Sequence, residues 1–263
     1  MTILLPLGEN LDLAAPLAHY REHGYARLGR VIAEEQLERL RSRAEELMLG
    51  KRVVPELFFQ HDSDTGSYEE LRYGEGYVGP SLHYRKLEKL ERDEHFRAHL
   101  ENPLFERVAR AVVSDAVSIY RATLFNKSRR GGSRLPWHQD AGKFWGLDRD
   151  PVLQIWTALD DCTVDTGCLR VVPGSHHRGL ATPLGGSIPA NIVERERADE
   201  RAVEVPALAG EVLLLHNHLW HGSGVNESGA PRRAFTVCYM DAGTKCLRRK
   251  RAPREFVRVF VHA

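Results

Sequence analysis

The stretch AVSIYRATLFN, Ala116–Asn126, is where the chain changes its period. Its residues alternate, which puts Val117, Ile119, Arg121, Thr123 and Phe125 on one face of an expected strand. Upstream the spacing is helical. AEEQLERLRSRAEELMLG, Ala33–Gly50, carries Leu37, Leu40, Ala44, Leu47 and Met48 at helical intervals and closes at Gly50. RDEHFRAHLENPLFERVARAVV, Arg92–Val113, has the same pattern. Before both, Leu13–Ile32 begins amphipathic, breaks at Gly24 and turns apolar, so the first third reads as helical with one strand. Lys51–Arg85 mixes aromatics with Gly, Pro and acids and has no clean period. That composition suits a mobile loop over a pocket and an ordinary surface loop equally well.

Downstream of Asn126 the pattern stays strand-like. In DPVLQIWTALDD, Asp150–Asp161, Val152, Gln154, Trp156 and Ala158 share one face, and Leu153, Ile155, Thr157 and Leu159 share the other. CLRVVPGS, AVEVPAL, GEVLLLH and RRAFTVCYMDA are further short runs divided by Gly, Pro, Asn and Asp. Many short strands without helices between them point to an antiparallel sandwich or barrel. The expected organisation is one domain over residues 1–263: a helical layer over about 10–112, a β core over about 115–242, and a basic tail at 243–263.

Composition narrows the function classes. The chain has 263 residues, 42% hydrophobic and 28% charged, with a net charge of +1, so no overall positive field recruits nucleic acid. The basic run KCLRRKRAPR, Lys245–Arg254, reads as a solvated tail. Apolar runs such as EVLLL are too short to span a bilayer, and the N-terminal MTILLPLGENLD lacks the features of a signal peptide. These features suggest a cytoplasmic protein with no membrane or nucleic-acid partner. Cys162, Cys168, Cys238 and Cys246 form no CxxC pair and read as buried thiols.

The candidate chemistry lies in WHQD, Trp137–Asp140. HxD alone is a weak signal in a chain with 13 histidines. Its context strengthens it, because it sits between strand-like segments and a second cluster, HNHLWHGSGVN, follows at His216–Asn226. One carboxylate and two neutral imidazoles on one face suit a divalent transition metal and leave coordination positions open. His216, His218 and His221 are all candidates for the third ligand, and the flanking GSG makes His221 the favoured one. An arginine from the pair Arg232–Arg233 at the mouth would grip an anionic co-substrate through a bidentate fork.

Several blocks occur together: TLFNK, PWHQD, QIWTALDDCTVDTGCLRVVPGSHHRG, GEVLLLHNHLWHGSGVN and PRRAF. In this order and spacing they resemble the phytanoyl-CoA dioxygenase family of Fe(II)- and 2-oxoglutarate-dependent oxygenases, from roughly residue 15 to residue 242. The resemblance implies a mainly β fold with flanking α-helices around a double-stranded β-helix (jelly-roll, cupin-like) core. It implies iron ligands at His138, Asp140 and His221. It places Arg232, 11 residues after His221, on the far carboxylate of 2-oxoglutarate, with Arg233 on the opposite face of the strand. Trp156, Ser223, Thr123 and Lys86 would contact the same co-substrate, and Gln154 would approach the pocket. Gln139 would point away from the metal.

The implied activity is a hydroxylase using Fe(II), 2-oxoglutarate and O2, which releases succinate and CO2. Asp140 argues against halogenation, whereas desaturation, epoxidation and cyclisation stay open. The substrate is expected to be a small molecule: a secondary metabolite, an acyl compound or an amino-acid-like compound. Phe58, Phe59, Tyr68, Tyr73, Tyr77, Phe144 and Trp145 suggest an apolar or ring-bearing part, although Phe144 and Trp145 read equally as packing residues. His61, Arg72, Arg85 and Lys143 read as solvated charge or as contacts to a polar group. A non-catalytic cupin-like binding protein is the alternative reading, and the sequence gives no preference between monomer and homodimer.

Overall fold

The computed structural model describes residues 10–63, 65–71, 74–129, 132–248 and 254–261. Tyr73, Arg72 and part of the basic run lie outside the described residues. In chain order the first elements are α1 (Ala14–His23), β1 (Tyr25–Arg30), α2 (Glu34–Met48), β2 (Phe58–His61), β3 (Tyr84–Glu88), α3 (Glu94–Leu100) and α4 (Pro103–Val112). Then come β4 (Val117–Lys127), β5 (Leu135–Gln139), β6 (Leu153–Ala158), β7 (Leu169–Val171) and β8 (Gly186–Ser187). Last are α5 (Ala190–Arg195), α6 (Ala198–Arg201), β9 (Val203–Val205), β10 (Glu211–Leu215), β11 (His221–Ser223), β12 (Arg232–Asp241) and β13 (Val257–Val259).

The strands form two antiparallel sheets. The larger has the order β1-β10-β6-β12-β4-β3-β2, with β13 on β4, and the smaller has the order β8-β5-β11-β7-β9. This is the jelly-roll arrangement expected from the sequence. Helices α5 and α6 pack against Trp137 of β5 in the smaller sheet, whereas α1–α4 pack on the outer face of the larger one. Leu37, Leu40, Ala44, Leu47 and Met48 of α2 are all buried there, against Leu153, Ile155, Phe235 and Val237. Truncating fully buried Leu37 or Leu40 to Ala should cost about 2–5 kcal/mol. Helix starts follow local chemistry: the Asp93 carboxylate accepts from the backbone N–H of His95 and Phe96, and Asn102 caps Leu104 ahead of Pro103. Helix α1 ends at Gly24 with φ +82°, where a Cβ would sit 2.6 Å from His176 Nδ1, so the chain needs glycine to turn into β1.

Two expectations change. The first third supplies three strands, β1, β2 and β3, where the sequence suggested one. Segment 51–85 is therefore neither wholly a loop nor wholly a lid: Phe58–His61 pairs with β3, and Phe59 packs with Tyr77 and Tyr84 at ring distances of 5.2 Å. The face assigned to β4 is also split. Val117 and Ile119 do face the helical core, but Cys238 pairs with Arg121 and Tyr239 with Ile119, leaving Tyr120 as a bulge. Beyond it the alternation is inverted, so Ala122 and Leu124 join the helical core instead. Arg121 and Phe125 turn inward as a result. Among the described residues no helix is long and apolar enough to cross a membrane. The four cysteines are free, three of them buried and Cys246 half-buried.

Candidate metal centre and co-substrate pocket

Strands β5 and β11 lie side by side in the smaller sheet, with His138 opposite His221. Their rings stand 4.0 Å apart, and Asp140, just past the end of β5, reaches the same point. One ligand atom from each of His138, Asp140 and His221 lies within 4.8 Å of the others. The imidazoles are oriented from behind. Nδ1 of His138 donates to the Pro136 carbonyl at 2.8 Å, and Nδ1 of His221 donates to the Leu219 carbonyl at 2.9 Å. A carbonyl can only accept, so each Nδ1 carries the proton and each Nε2 lone pair faces the shared point. Burial first, and then the neighbouring His221, pull the His138 pKa down to about 3, which keeps that ring neutral and able to ligate.

Asp140 is fixed along its backbone and its side chain. Its N–H donates to the Asn217 carbonyl at 2.9 Å, and Asn217 Nδ2 returns a bond to the Asp140 carbonyl at 2.8 Å. Nη2 of Arg121 lies 2.9 Å from Asp140 Oδ1, whereas Oδ2 faces His221 Nε2 at 3.6 Å. Burial alone would raise the Asp140 pKa. The Arg121 guanidinium beside it outweighs that and holds the carboxyl well below the usual range. The loop after Asp140 leaves no room for a side chain at Gly185, where a Cβ would collide with the Ala141 carbonyl oxygen. A buried donor set of two imidazoles and one carboxylate suits a divalent transition metal such as Fe(II).

A cavity opens from this point. Gln154, Trp156, Ser223 and Arg232 line it, and so does Thr236, which no sequence signal singled out. Arg232 is 3% exposed, and among the described residues its guanidinium bonds the Gly167 carbonyl and has no carboxylate partner. Its Nε, Gln154 Nε2 and Thr236 Oγ1 are buried without a hydrogen-bond partner. Such orphaned groups cost free energy unless a polar ligand satisfies them. A buried, unpaired guanidinium at one end of the cavity and open ligand positions at the other suit a short dianion that can also chelate a metal, as 2-oxoglutarate can. Arg233 points the other way, to Asp160 at 2.7 Å and Glu45 at 2.8 Å, locking α2 to the edge of β6.

The remaining candidates divide. Thr123 is buried, is the cross-strand partner of Thr236, and has an unpartnered Oγ1, but it does not reach the cavity lining. Lys86 is absent from the lining as well. Its ammonium pairs with Glu88, two residues along the same strand and so on the same face, and lies 5.7 Å from the Phe125 ring centre. Arg85 lines the cavity and donates to Gln60 Oε1 at 3.0 Å. Sequence reasoning missed Lys127, whose ammonium ties the Ser133 and Gly224 carbonyls together beside Arg232. Burial, followed by Arg232, pulls its pKa well below the ordinary lysine value.

The two other histidines are held elsewhere: His218 bonds Asp150 at 3.0 Å, and His216 accepts from the His218 N–H. Gln139 turns away from the triad to the Gly179 and His218 carbonyls. Trp145 is buried and packs on Tyr120, whereas Phe144 and Lys143 are exposed. His61 bonds Ser81 at 3.1 Å, and Tyr68 lies under the Arg85 guanidinium.

The model of the phytanoyl-CoA dioxygenase family matches residues 20–234. Phytanoyl-CoA dioxygenase domain-containing protein 1 of Danio rerio is 25% identical over 258 residues, covering 85% of this chain and 88% of the relative. Among solved structures, AviO1 from Streptomyces viridochromogenes Tue57 is 27% identical with a TM-score of 0.64, covering 89% of this chain and 97% of that one. SnoK, a non-heme α-ketoglutarate-dependent carbocyclase from nogalamycin biosynthesis, shares the fold at 22% identity, with a TM-score of 0.72 and coverage of 96% and 98%.

Proposed function

The chain belongs to the phytanoyl-CoA dioxygenase family, and from that premise we propose that it is an Fe(II)- and 2-oxoglutarate-dependent oxygenase that hydroxylates a C–H bond of a small molecule. The observation that carries this reading is the meeting of His138, Asp140 and His221 at one end of a cavity that holds an unpaired Arg232. His138 Nε2, His221 Nε2 and an Asp140 oxygen would hold Fe(II), and three protein ligands leave it able to take others. Arg232 would clamp the far carboxylate of 2-oxoglutarate, with Ser223 and Thr236 offering hydroxyls and Gln154 an amide. Trp156 forms an apolar wall that excludes water and strengthens these charge-assisted bonds. With both groups bound, the site would supply oxidation of a C–H bond by O2, with succinate and CO2 released. The fold is shared with a carbocyclase, so the bond formed after oxidation depends on how the pocket holds its substrate.

The test is anaerobic addition of Fe(II) and 2-oxoglutarate, read as a weak visible metal-to-ligand charge-transfer band. The band should form in the native chain and vanish in His138→Ala. No band, or an undiminished band in the variant, would refute the assignment. Substrate-triggered succinate formation from a metabolite library then separates turnover from mere binding.

A further inference from the structure

We infer that Arg121 is a positioning residue that leaves Asp140 a single oxygen with which to meet the metal, an inference that rests on the triad being a metal site. The guanidinium occupies Asp140 Oδ1 at 2.9 Å and leaves Oδ2 on the side of His221. Arg121 is itself held from two sides. Its guanidinium carbon lies 4.6 Å from the Trp145 ring centre, and Trp145 stacks on Tyr120 at 4.3 Å with the rings 14° from parallel. On the far side Nη1 stands 4.0 Å from Glu88 Oε1, and Glu88 pairs with Lys86. A flat cation between an aromatic face and a carboxylate has little rotational freedom.

The backbone is adapted to this arrangement. Without the bulge at Tyr120, Arg121 would share the face of Ile119 and point into the helical core. The extra residue aims the guanidinium at Asp140 and places the Tyr120 ring under Trp145. Bulges beside functional sites re-aim side chains in this way. Lys86, expected at the co-substrate, instead closes the far end of the charge chain Lys86–Glu88–Arg121–Asp140.

A rival role makes the opposite prediction. If Arg121 only neutralised Asp140 in the empty pocket, it would compete with the metal, and its loss would tighten metal binding. If it positions Asp140, its loss frees both oxygens, costs the ligand its orientation and weakens binding by about 10–100-fold. Calorimetric titration with Co(II) alone separates the two, using the native chain, Arg121→Gln, Arg121→Lys and His138→Ala, with thermal melts checking that each variant folds. Arg121→Gln should bind Co(II) about 10–100-fold more weakly, and its Co(II) absorption spectrum should change as the released carboxylate chelates through both oxygens. Arg121→Lys, which keeps the charge but not the planar fork, should recover only part of the affinity. Trp145→Leu should weaken binding in the same direction and non-additively with Arg121→Gln, because both act through one guanidinium. Equal or tighter Co(II) binding by Arg121→Gln, with the native spectrum retained, overturns this inference and leaves the metal centre standing. Absence of Co(II) binding in the native chain, or undiminished binding in His138→Ala, overturns the metal centre and this inference together.

Discussion

Arg232 and Arg233 are neighbours whose removal should have opposite signatures. Arg233→Ala deletes a two-pronged bond to Asp160, at 2.7 and 2.9 Å, and a bond to Glu45 at 2.8 Å. Glu45 is half-exposed, so that pair is worth at most about 1 kcal/mol. Asp160 is only 16% exposed, and breaking a buried pair costs about 3–5 kcal/mol. It keeps the Arg233 backbone N–H at 2.8 Å and Arg41 at 3.3 Å, which lowers the expected total to about 2–3 kcal/mol. At about 2–4 °C per kcal/mol, Tm should fall by about 5–10 °C.

Arg232→Ala removes one bond to a carbonyl and also a buried cation with no carboxylate partner, so Tm should move by less than about 3 °C. Its effect should appear in ligand binding, because losing one partner of a desolvated charge pair costs about 2–5 kcal/mol, roughly 30-fold in affinity at the least. Both variants can be melted and then titrated anaerobically with 2-oxoglutarate in the presence of Fe(II), below the Tm of Arg233→Ala. The reasoning fails if the two lose 2-oxoglutarate affinity equally, or if Arg233→Ala loses more.

Three further outcomes follow from the geometry. His99 is fully buried between Gln36 and Thr157, and burial pulls its pKa down to about 3. The unfolded state therefore binds a proton at His99 below about pH 6.5 that the folded state refuses, so stability should fall as pH drops from about 6.5 toward 3, by up to about 1.4 kcal/mol per unit. Urea midpoints between pH 6.5 and pH 5 (values on the ordinary histidine titration range) should fall less in His99→Gln than in the native chain, and an unchanged slope would count against this. Gly185→Ala, which puts a methyl against the Ala141 carbonyl at a φ of +71°, should displace the loop that follows Asp140 and weaken Co(II) binding; native affinity would mean that the loop yields freely. Metal at about 100 times its Kd should raise stability by about 2.7 kcal/mol, or Tm by about 5–10 °C. His138→Ala should show none of that rise, and an equal rise would place the metal elsewhere.

Much of the centre was legible because its signals are local. HxD on an extended segment, three histidines near a glycine turn, and an arginine at the start of a strand each announce themselves within a few residues. The opposed faces of β6 were equally readable, since Gln154 and Trp156 face the cavity while Leu153 and Ile155 face the helices. What stayed hidden depends on register. Alternation assumes a regular strand, so the bulge at Tyr120 placed Val117 and Arg121 on one face when they lie on two. Lys86, which the family resemblance placed at the co-substrate, pairs with Glu88, and Arg85 is the residue that lines the cavity. Strands β2 and β3 escaped notice because runs of four and five residues, set in a stretch rich in Gly and Pro, carry little periodic signal. Lys127 and Asn217 act through backbone carbonyls far away in the chain, those of Gly224 and Asp140, which no residue pattern encodes.

The most direct measurement is anomalous diffraction at the iron absorption edge, from crystals grown anaerobically with Fe(II) and 2-oxoglutarate. A single strong peak within bonding distance of Nε2 of both His138 and His221 and one oxygen of Asp140, with co-substrate density reaching to Arg232, is the predicted result. A peak elsewhere, or none in crystals that demonstrably contain iron, would contradict the account.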